Sequence, residues 1–393
     1  MNMNRISDFE LKNKKVLIRA DLNVPILSGA ISSENRIQAS LPTILYALKE
    51  GAKVMVTSHL GRPEEGIYSQ ENSLEPIAKY LSEHINKTVP LIKNWVYEPF
   101  KLDSSNLVVL ENCRFNIGEK ANDISLSKKY AALADIFVMD AFGTAHRKQA
   151  STYGVAEYCK EVCIGKLFAS ELEALNKVLS KPELPMLAIV GGSKVSTKLN
   201  ILELLSDKVD QLVLGGGIAN TFLKAQGINI GKSLYEESFL PSAEKIIKKL
   251  EKRGASLPII KDVVCGKRFD ENEVAVVKHI SDVEPDDIIF DLGEQSMNSI
   301  VEKINKAKTI LWNGPIGVFE FKQFSKGTEM LAHSIANSPA FSLAGGGDTI
   351  AAIEAFGMEK NISYISTAGG AFLEFVEGKK LPAIEILEKR AII

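Results

Sequence analysis

Cysteine is scarce in this sequence, which has four cysteines among 393 residues, at positions 113, 159, 163 and 265. Their spacing fits neither a disulfide framework nor a zinc site, because Cys159 and Cys163 form CxxxC rather than CxxC. The five histidines are scattered and form no HxxxH pair. We therefore expect reduced, buried thiols in a cytoplasmic protein, and no transition-metal site.

Long apolar runs and blocks of one charge are also missing. No apolar run approaches the roughly 18–20 residues of a membrane span, and Met1–Glu10 is polar, unlike a secretory signal. The formal net charge is −2, and no Lys/Arg run resembles a nucleic-acid-binding arm. These absences predict no membrane partner and no nucleic-acid partner, so any anionic ligand is bound locally.

The composition, 45% hydrophobic and 24% charged, is that of a globular protein, and the length suggests more than one core. Strand-like apolar runs alternate with helical periodicity, which favours an α/β fold with parallel strands. The amphipathic stretch Lys166–Leu179 and the following Pro-bracketed pentapeptide predict a connector helix at 166–185. We predict two similar doubly wound, Rossmann-like parallel-sheet domains, at 1–165 and 186–379, and an apolar tail that must pack against one of them.

The stretch Met186–Leu199 carries the clearest local motif. An apolar strand ends in Gly191-Gly192, and Ser193 is predicted to cap a helix that begins near Lys194. Backbone N–H groups at such a helix start favour a phosphate, and Lys194 and Lys198 would project from the same helical face. An ordinary βα turn with two solvated lysines accounts for this motif equally well when it is taken alone.

The residues that follow the other predicted strands differ in type between the two halves of the chain. These positions matter because ligands of open parallel sheets bind beyond the carboxyl ends of the strands. The first half places arginines and histidines there, and the planar guanidinium suits phosphate and carboxylate groups. The second half places glycine turns there, which we expect along one sheet, and Asp348 at a helix start where it can hold Mg²⁺ on phosphate oxygens. This pattern predicts an acidic substrate on the first domain, a nucleotide on the second, and phosphoryl transfer on domain closure.

The motifs at these strand ends resemble those of the phosphoglycerate kinase family over nearly the whole chain. They are RADLNVP (19–25), SHLGRP (58–63), LENCRF (110–115), DAFGTAHR (140–147), GGSKVSTK (191–198), GGGIANTFL (215–223), WNGPIGVFE (312–320) and GGGDT (345–349). The resemblance implies reversible Mg²⁺-dependent phosphoryl transfer between 1,3-bisphosphoglycerate and ADP in glycolysis, by hinge closure of a monomer. It also implies that the tail 380–393 returns to the first domain.

The resemblance further implies a set of site residues. Substrate-binding residues are Asp21, Leu22, Asn23, Arg36, His59, Leu60, Gly61, Arg62, Arg114, His146 and Arg147. Nucleotide-binding residues are Gly192, Lys194, Lys198, Gly216, Gly217, Gly293, Asn313, Pro315, Glu320, Gly346, Gly347, Asp348 and Thr349. Arg36, Lys194 and Lys198 are the catalytic residues, Asp348 is the metal ligand, and Gly369 and Gly370 form the transition-state loop, where Ala368 replaces a third glycine.

Alternative functions stay open at this point. A kinase for a different small acid fits the same pattern, and so does a catalytically inactive nucleotide-binding scaffold. A dehydrogenase is disfavoured because no GxGxxG follows a strand.

Overall fold

The computed structural model describes residues 2–27, 29–102 and 106–391, which divide into two compact units. Unit 1 comprises Met1–Glu173 and Lys379–Ile393, and unit 2 comprises Ala174–Gly378. The predicted two-domain α/β architecture is confirmed. The division falls inside the stretch that the sequence predicts as a connector helix.

Unit 1 is built on a six-stranded parallel sheet. Its strands are β1 (Lys15–Ala20), β4 (Lys53–Thr57), β5 (Leu91–Ile92), β6 (Leu107–Leu110), β7 (Ile136–Asp140) and β8 (Glu161–Ile164), beside a small hairpin of β2 (Ile26–Leu27) and β3 (Ala30–Ile31). The strand order is β5-β6-β4-β1-β7-β8. Its helices are α1 (Asn35–Lys49), α2 (Glu75–Ile85), α3 (Ile124–Ala132), α4 (Val155–Tyr158) and the first part of α5 (Lys166–Leu179).

Unit 2 contains a second parallel sheet. Its strands are β9 (Met186–Val190), β10 (Gln211–Leu214), β14 (Thr309–Asn313), β15 (Phe341–Gly345) and β16 (Tyr364–Ser366), in the order β10-β9-β14-β15-β16. A separate sheet contains β11 (Asp262–Gly266), β12 (Val276–His279) and β13 (Ile288–Leu292). The helices are α6 (Leu199–Ser206), α7 (Gly216–Ala225), α8 (Leu240–Lys252), α9 (Glu294–Lys306), α10 (Lys326–Ala336), α11 (Gly347–Ala355) and α12 (Gly370–Val376).

The central strands of both sheets are buried on both faces. Every residue of β7, β9 and β14 is buried, as expected when helices cover both faces of a parallel sheet. Such strands are mainly apolar and identify the core, with polar residues such as Asp140 and Asn313 at their carboxyl ends. Only the strand ends and the residues beyond them are left to contact a ligand.

The three-stranded sheet corrects the sequence prediction that the glycine turns of the second half all lie along one sheet. β11 pairs with β12 and β13 in antiparallel fashion. The segment 267–275 between β11 and β12 contains no helix and is too short for the crossover that parallel pairing requires. The turn that contains Gly293 therefore follows a strand of this second sheet, not of the parallel sheet.

The C-terminal helix α13 (Pro382–Lys389) lies in unit 1, far from its neighbours in the sequence. The Ala383 N–H donates to the carbonyl of Ala145 at 3.0 Å, and Arg390 donates to the carbonyl of Cys159 at 2.7 Å. One face of α13 is buried, so the chain must return to unit 1 to complete its core.

Two sequence expectations concern the whole chain. Among the described residues, no helix combines the length and the apolar character that crossing a bilayer requires. All four cysteines are free and buried, and burial raises the pKa of the Cys113 thiol to about 12.

Candidate active site

The predicted acid-substrate residues of unit 1 follow neighbouring strands. Asp21 and Asn23 follow β1, His59 follows β4, Arg114 follows β6, and Arg147 lies in the segment after β7. Because these strands are parallel, their carboxyl ends lie at the same edge of the sheet. The structure therefore brings together side chains that are far apart in the sequence.

The positive charges of four guanidinium groups act on one histidine at this edge. The residues are His59 with Arg19, Arg36, Arg114 and Arg147, and we call these five the arginine cluster. His59 is buried, and Arg19 donates from Nη2 to its Nδ1 at 3.2 Å. Burial, and then the four positive charges, lower the pKa of His59 well below its ordinary value of 6.5. His59 is therefore neutral at physiological pH and offers hydrogen bonds rather than charge.

The arginines of the cluster also repel one another. Burial, and then the charge of Arg147, lower the pKa of the Arg114 guanidinium to about 10. Burial lowers the pKa of Arg147 as well, followed by the charges of Arg19 and Arg62. Holding several cations at one partly desolvated site is unfavourable without a counter-charge. The arginine cluster is thus suited to a ligand with more than one negative charge.

Asp21 and Asn23 orient groups around the arginine cluster. Arg36 donates from Nη1 to both carboxylate oxygens of Asp21, at 3.1 and 3.2 Å. The Gly61 N–H donates to Asn23 Oδ1 at 2.9 Å, and the Gly61 carbonyl accepts from Arg114. Gly61 has φ +62°, a conformation that favours glycine. The turn after β4 is therefore tied to the ends of both β1 and β6.

The remaining predicted residues of unit 1 differ in exposure. Leu22 and Leu60 have their side chains in the hydrophobic core, so only their backbone is left to contact a substrate. Arg62 is exposed. His146 accepts a hydrogen bond at Nε2 from Nε of Arg147, at 3.3 Å.

Three glycine turns of unit 2, after β9, β10 and β14, pack directly against one another. A Cβ atom on Gly191 would lie 1.9 Å from the Pro315 carbonyl oxygen, and one on Gly217 would lie 2.2 Å from the Ser193 carbonyl oxygen. Gly216 has φ +62°. Such an approach of backbones is possible only without side chains, and it places the predicted residues Gly192, Gly216, Gly217 and Pro315 together.

Lys198 is held at this place by Asn313, which ends β14. Its Nζ donates to the Asn313 side chain, and also to the Asn313 carbonyl at 3.2 Å. Burial lowers the pKa of Lys198 to about 8, while the negative charge of Asp348 opposes the shift. Lys198 is therefore mainly protonated at neutral pH and carries a fixed positive charge beside the glycine turns.

The GGGDT motif lies at the start of α11, close to Lys198. The Thr349 hydroxyl accepts from the Gly314 N–H at 2.7 Å and donates to the Gly345 carbonyl at 2.9 Å. Gly346 precedes the helix with φ +100°, and Gly347 has open space where a side chain would be. This leaves the first N–H groups of α11 accessible, which is the arrangement that binds phosphate groups.

The local structure around Lys194 corrects a prediction. Lys194 precedes a single 3₁₀ turn, Val195–Thr197, and the α-helix begins only at Leu199. The two lysines therefore do not share a helical face. The segment is instead held by Glu236, which accepts from the backbone N–H and the hydroxyl of Ser196 at 2.8 and 2.7 Å.

The remaining predicted residues of unit 2 are Gly293, Glu320 and the loop that contains Gly369 and Gly370. Gly293 donates to the Asp262 carbonyl at 2.9 Å and precedes α9. Glu320 is exposed beyond β14. The loop before α12, which begins at Gly370, has its positive φ, +53°, at Gly369. Ala368 is buried without needing that conformation, so its Cβ is accommodated.

Sequence reasoning missed the structural partners of these residues. The sequence identifies Arg19 only as the first residue of the RADLNVP motif, although it is almost fully buried and bonds to His59. No local signal marked Glu236, because its partner Ser196 is 40 positions away. The same is true of Glu119, a buried carboxylate in the segment between β6 and α3.

Comparisons with known proteins show which family the chain is similar to. The family model described as phosphoglycerate kinase matches residues 6–379. The chain is similar to a phosphoglycerate kinase structure from Coxiella burnetii, at 51% identity and a TM-score of 0.96, covering 99% of this chain and 100% of that one. It is also similar to a phosphoglycerate kinase from Pyrococcus horikoshii OT3, at 33% identity and a TM-score of 0.79, covering 99% and 100%.

The fold and these matches define a kinase, a phosphotransferase that uses a carboxyl group as acceptor. The chain belongs to the phosphoglycerate kinase family. Its reaction is the reversible transfer of a phosphoryl group between 1,3-bisphosphoglycerate and ADP, giving 3-phosphoglycerate and ATP, in glycolysis.

Proposed function

We propose that the arginine cluster of unit 1 binds the phosphoglycerate and that the glycine turns of unit 2 bind the nucleotide. The observation that carries this proposal is the set of arginines at the strand ends of unit 1, of which Arg19 bonds to His59 and four act on its charge. 3-Phosphoglycerate carries both a phosphate and a carboxylate, and planar guanidinium groups can bind two oxygens of either group at once. Neutral His59 adds a hydrogen-bond donor without further repulsion.

The backbone around Lys198 supports the proposed nucleotide site. Accessible N–H groups at the start of α11 and the ammonium of Lys198 both suit phosphate oxygens. The glycine turns leave room for a ligand to contact the backbone directly. Gly293 and Glu320 complete the proposed site, with Glu320 accepting from ribose hydroxyls.

Catalysis in this proposal consists of positioning and electrostatics. The attacking carboxylate of 3-phosphoglycerate is already ionised, so no general base is required. Arg36, Lys194 and Lys198 stabilise the negative charge of the phosphoryl group during transfer. Transfer also requires the two bound substrates to meet, so the proposal includes hinge closure of the two domains, with Gly369 and Gly370 near the transferred group.

Asp348 is the proposed ligand of Mg²⁺. It is an exposed carboxylate in the first turn of α11, and its charge acts on Lys198. A single carboxylate combined with substrate phosphate oxygens is the ligand set that Mg²⁺ takes in nucleotide enzymes, so the residues fit the ion. When bound, Mg²⁺ neutralises phosphate charge during transfer.

We also propose that the protein acts as a cytoplasmic monomer with small-molecule partners and without nucleic acid. The support is its family and its composition, with a formal net charge of −2 and no basic arm. Size-exclusion chromatography with light scattering measures the oligomeric state directly.

The proposed function is tested by following ADP formation from ATP with and without 3-phosphoglycerate, and with and without Mg²⁺. Coupling to NADH-dependent reduction of the acyl phosphate removes the product of the unfavourable direction. We expect turnover only with the acid and the metal together, and its loss in Asp348→Ala. ATP binding without turnover would point to the scaffold, and turnover only with another acid would point to a different kinase.

A further inference from the structure

A buried carboxylate near the arginine cluster has no part in the mechanism above. Glu119 is fully buried and accepts from the Ser151 hydroxyl at 2.5 Å and from the Ser151 N–H at 3.2 and 3.3 Å. The Tyr130 hydroxyl donates to the same carboxylate at 3.2 Å. A buried carboxylate requires this many donors because it has lost the hydration of its charge.

Ser151 connects this carboxylate to the arginine cluster. Arg19 donates from Nε to the Ser151 hydroxyl oxygen at 3.0 Å. A guanidinium group can only donate, so the Ser151 hydroxyl accepts from Arg19 and donates to Glu119. The hydrogen bonds therefore run in one direction, and they pair the positive charge of Arg19 with the carboxylate through one hydroxyl.

Arg19 in turn determines which ring nitrogen of neutral His59 carries the proton. Its Nη2 lies 3.2 Å from His59 Nδ1, and the guanidinium must be the donor. Nδ1 of the neutral ring is therefore an acceptor, and the ring proton is on Nε2. His59 can then donate to a substrate oxygen only from Nε2.

We propose that Glu119 is a positioning residue for the acid-substrate site: through Ser151 it holds Arg19 against His59 and so fixes the Nε2–H form of that ring. The proposal rests on the proposed function for the role of His59 toward the substrate. The hydrogen-bond arrangement itself is independent of activity and is tested separately.

The first test determines which ring nitrogen of His59 is protonated, by NMR on protein labelled with ¹⁵N in its histidine rings. His59→Gln identifies the signals of this ring among the five histidines. We expect the protein to show only the Nε2–H form, and Glu119→Gln and Ser151→Ala to show a mixture of the two neutral forms. If Glu119→Gln does not fold, the His59 signals of Ser151→Ala alone decide whether the link fixes the Nε2–H form.

Glu65→Gln is the matched control. Glu65 accepts from the Gly118 and Lys120 N–H groups at 2.9 and 2.7 Å, so it tethers the same segment that carries Glu119. It has no hydrogen bond to Ser151 or Arg19 among those of the described residues. We expect this variant to keep the single Nε2–H form of His59. A change seen in Glu119→Gln but not in Glu65→Gln is then due to loss of the link to Arg19 and not to loosening of the segment.

The second test is kinetic. We expect Glu119→Gln and Ser151→Ala to raise the KM for 3-phosphoglycerate by about tenfold, with the KM for ATP within about twofold. Unchanged His59 signals and an unchanged KM for 3-phosphoglycerate in the folded variants would overturn the proposal. Absence of any turnover in the unmodified protein would instead contradict the proposed function, while the NMR result would still decide the role of Glu119.

Discussion

At the scale of single residues, the arginine cluster depends on burial as much as on charge. Arg19 and Arg114 are almost fully buried, whereas Arg62 is exposed. Charges interact more strongly where water is excluded, so we expect the buried arginines to have the larger effect on the proposed anionic substrate. Sequence alone cannot rank them, because each arginine at a strand end looks the same.

Arg36 gives a prediction at this scale. We expect Arg36→Ala to lower kcat by roughly 10²–10³-fold, because a charge that stabilises the transferring group acts mainly in the transition state. Asp21 holds the guanidinium in unit 1, so nucleotide affinity should not change. Steady-state kinetics and calorimetric titration with ADP measure the two quantities.

Lys49→Ala is the control for this variant, since Lys49 is an exposed residue at the other end of the same helix, α1. It should leave kcat unchanged. An equal loss of ADP affinity in Arg36→Ala would place Arg36 in the nucleotide site and contradict the assignment.

At the scale of elements, a second buried carboxylate, Asp140, lies against the start of α5. Asp140 ends β7, and the Phe168 N–H donates to its Oδ1 at 3.1 Å. Gly165 permits this contact, because a Cβ atom there would lie 2.1 Å from Oδ1. Burial raises the pKa of Asp140 from 3.8 to about 7, and hydrogen bonds from Thr43 and the helix start oppose the shift.

The sign of this shift gives a pH prediction. Because the folded-state pKa is raised, the folded state binds the proton more tightly, and the resulting stability is lost as pH rises from about 4 to 7. Asp140→Asn keeps an acceptor for Phe168 and never becomes charged. We therefore expect the free energy of unfolding of the variant to rise relative to that of the unmodified protein as pH increases through this range. Urea unfolding at several pH values measures both.

A stability difference between Asp140→Asn and the unmodified protein that stays constant from pH 5 to pH 8 would contradict this prediction. It would mean that Asp140 has the same pKa in the folded and unfolded states. Activity at pH 7 serves as a check that the variant is folded.

At the scale of the whole molecule, unit 1 is discontinuous in the sequence. α13 buries Ile384, Ile386 and Leu387 in unit 1. At about 1.5–3 kcal/mol for each buried side chain, their loss approaches the roughly 5–15 kcal/mol that stabilises a typical domain. The C-terminal helix is therefore a structural part of unit 1.

Deletion of residues 381–393 should strongly destabilise unit 1 and leave unit 2 folded. Hydrogen–deuterium exchange with mass spectrometry distinguishes the units by their peptides, and fast exchange is expected only in unit 1. Lys389→Ala, an exposed position on the same helix, is the control. Slow exchange of unit 1 peptides after the deletion would show that α13 is dispensable.

The sequence by itself determined the two parallel sheets, because strands buried on both faces are apolar runs separated by amphipathic helices. It also determined the family, since the motifs at the strand ends are local and colinear. It was wrong about the helix at Lys194 and about a single sheet for the glycine turns.

Only the tertiary structure decided how those motifs are held. Glu236 accepts two hydrogen bonds from Ser196, and Glu119 is linked to His59 through Ser151 and Arg19. These contacts join residues dozens of positions apart, and a local pattern does not encode them. Burial, which sets the pKa of His59 and Lys198, likewise exists only once the chain is folded.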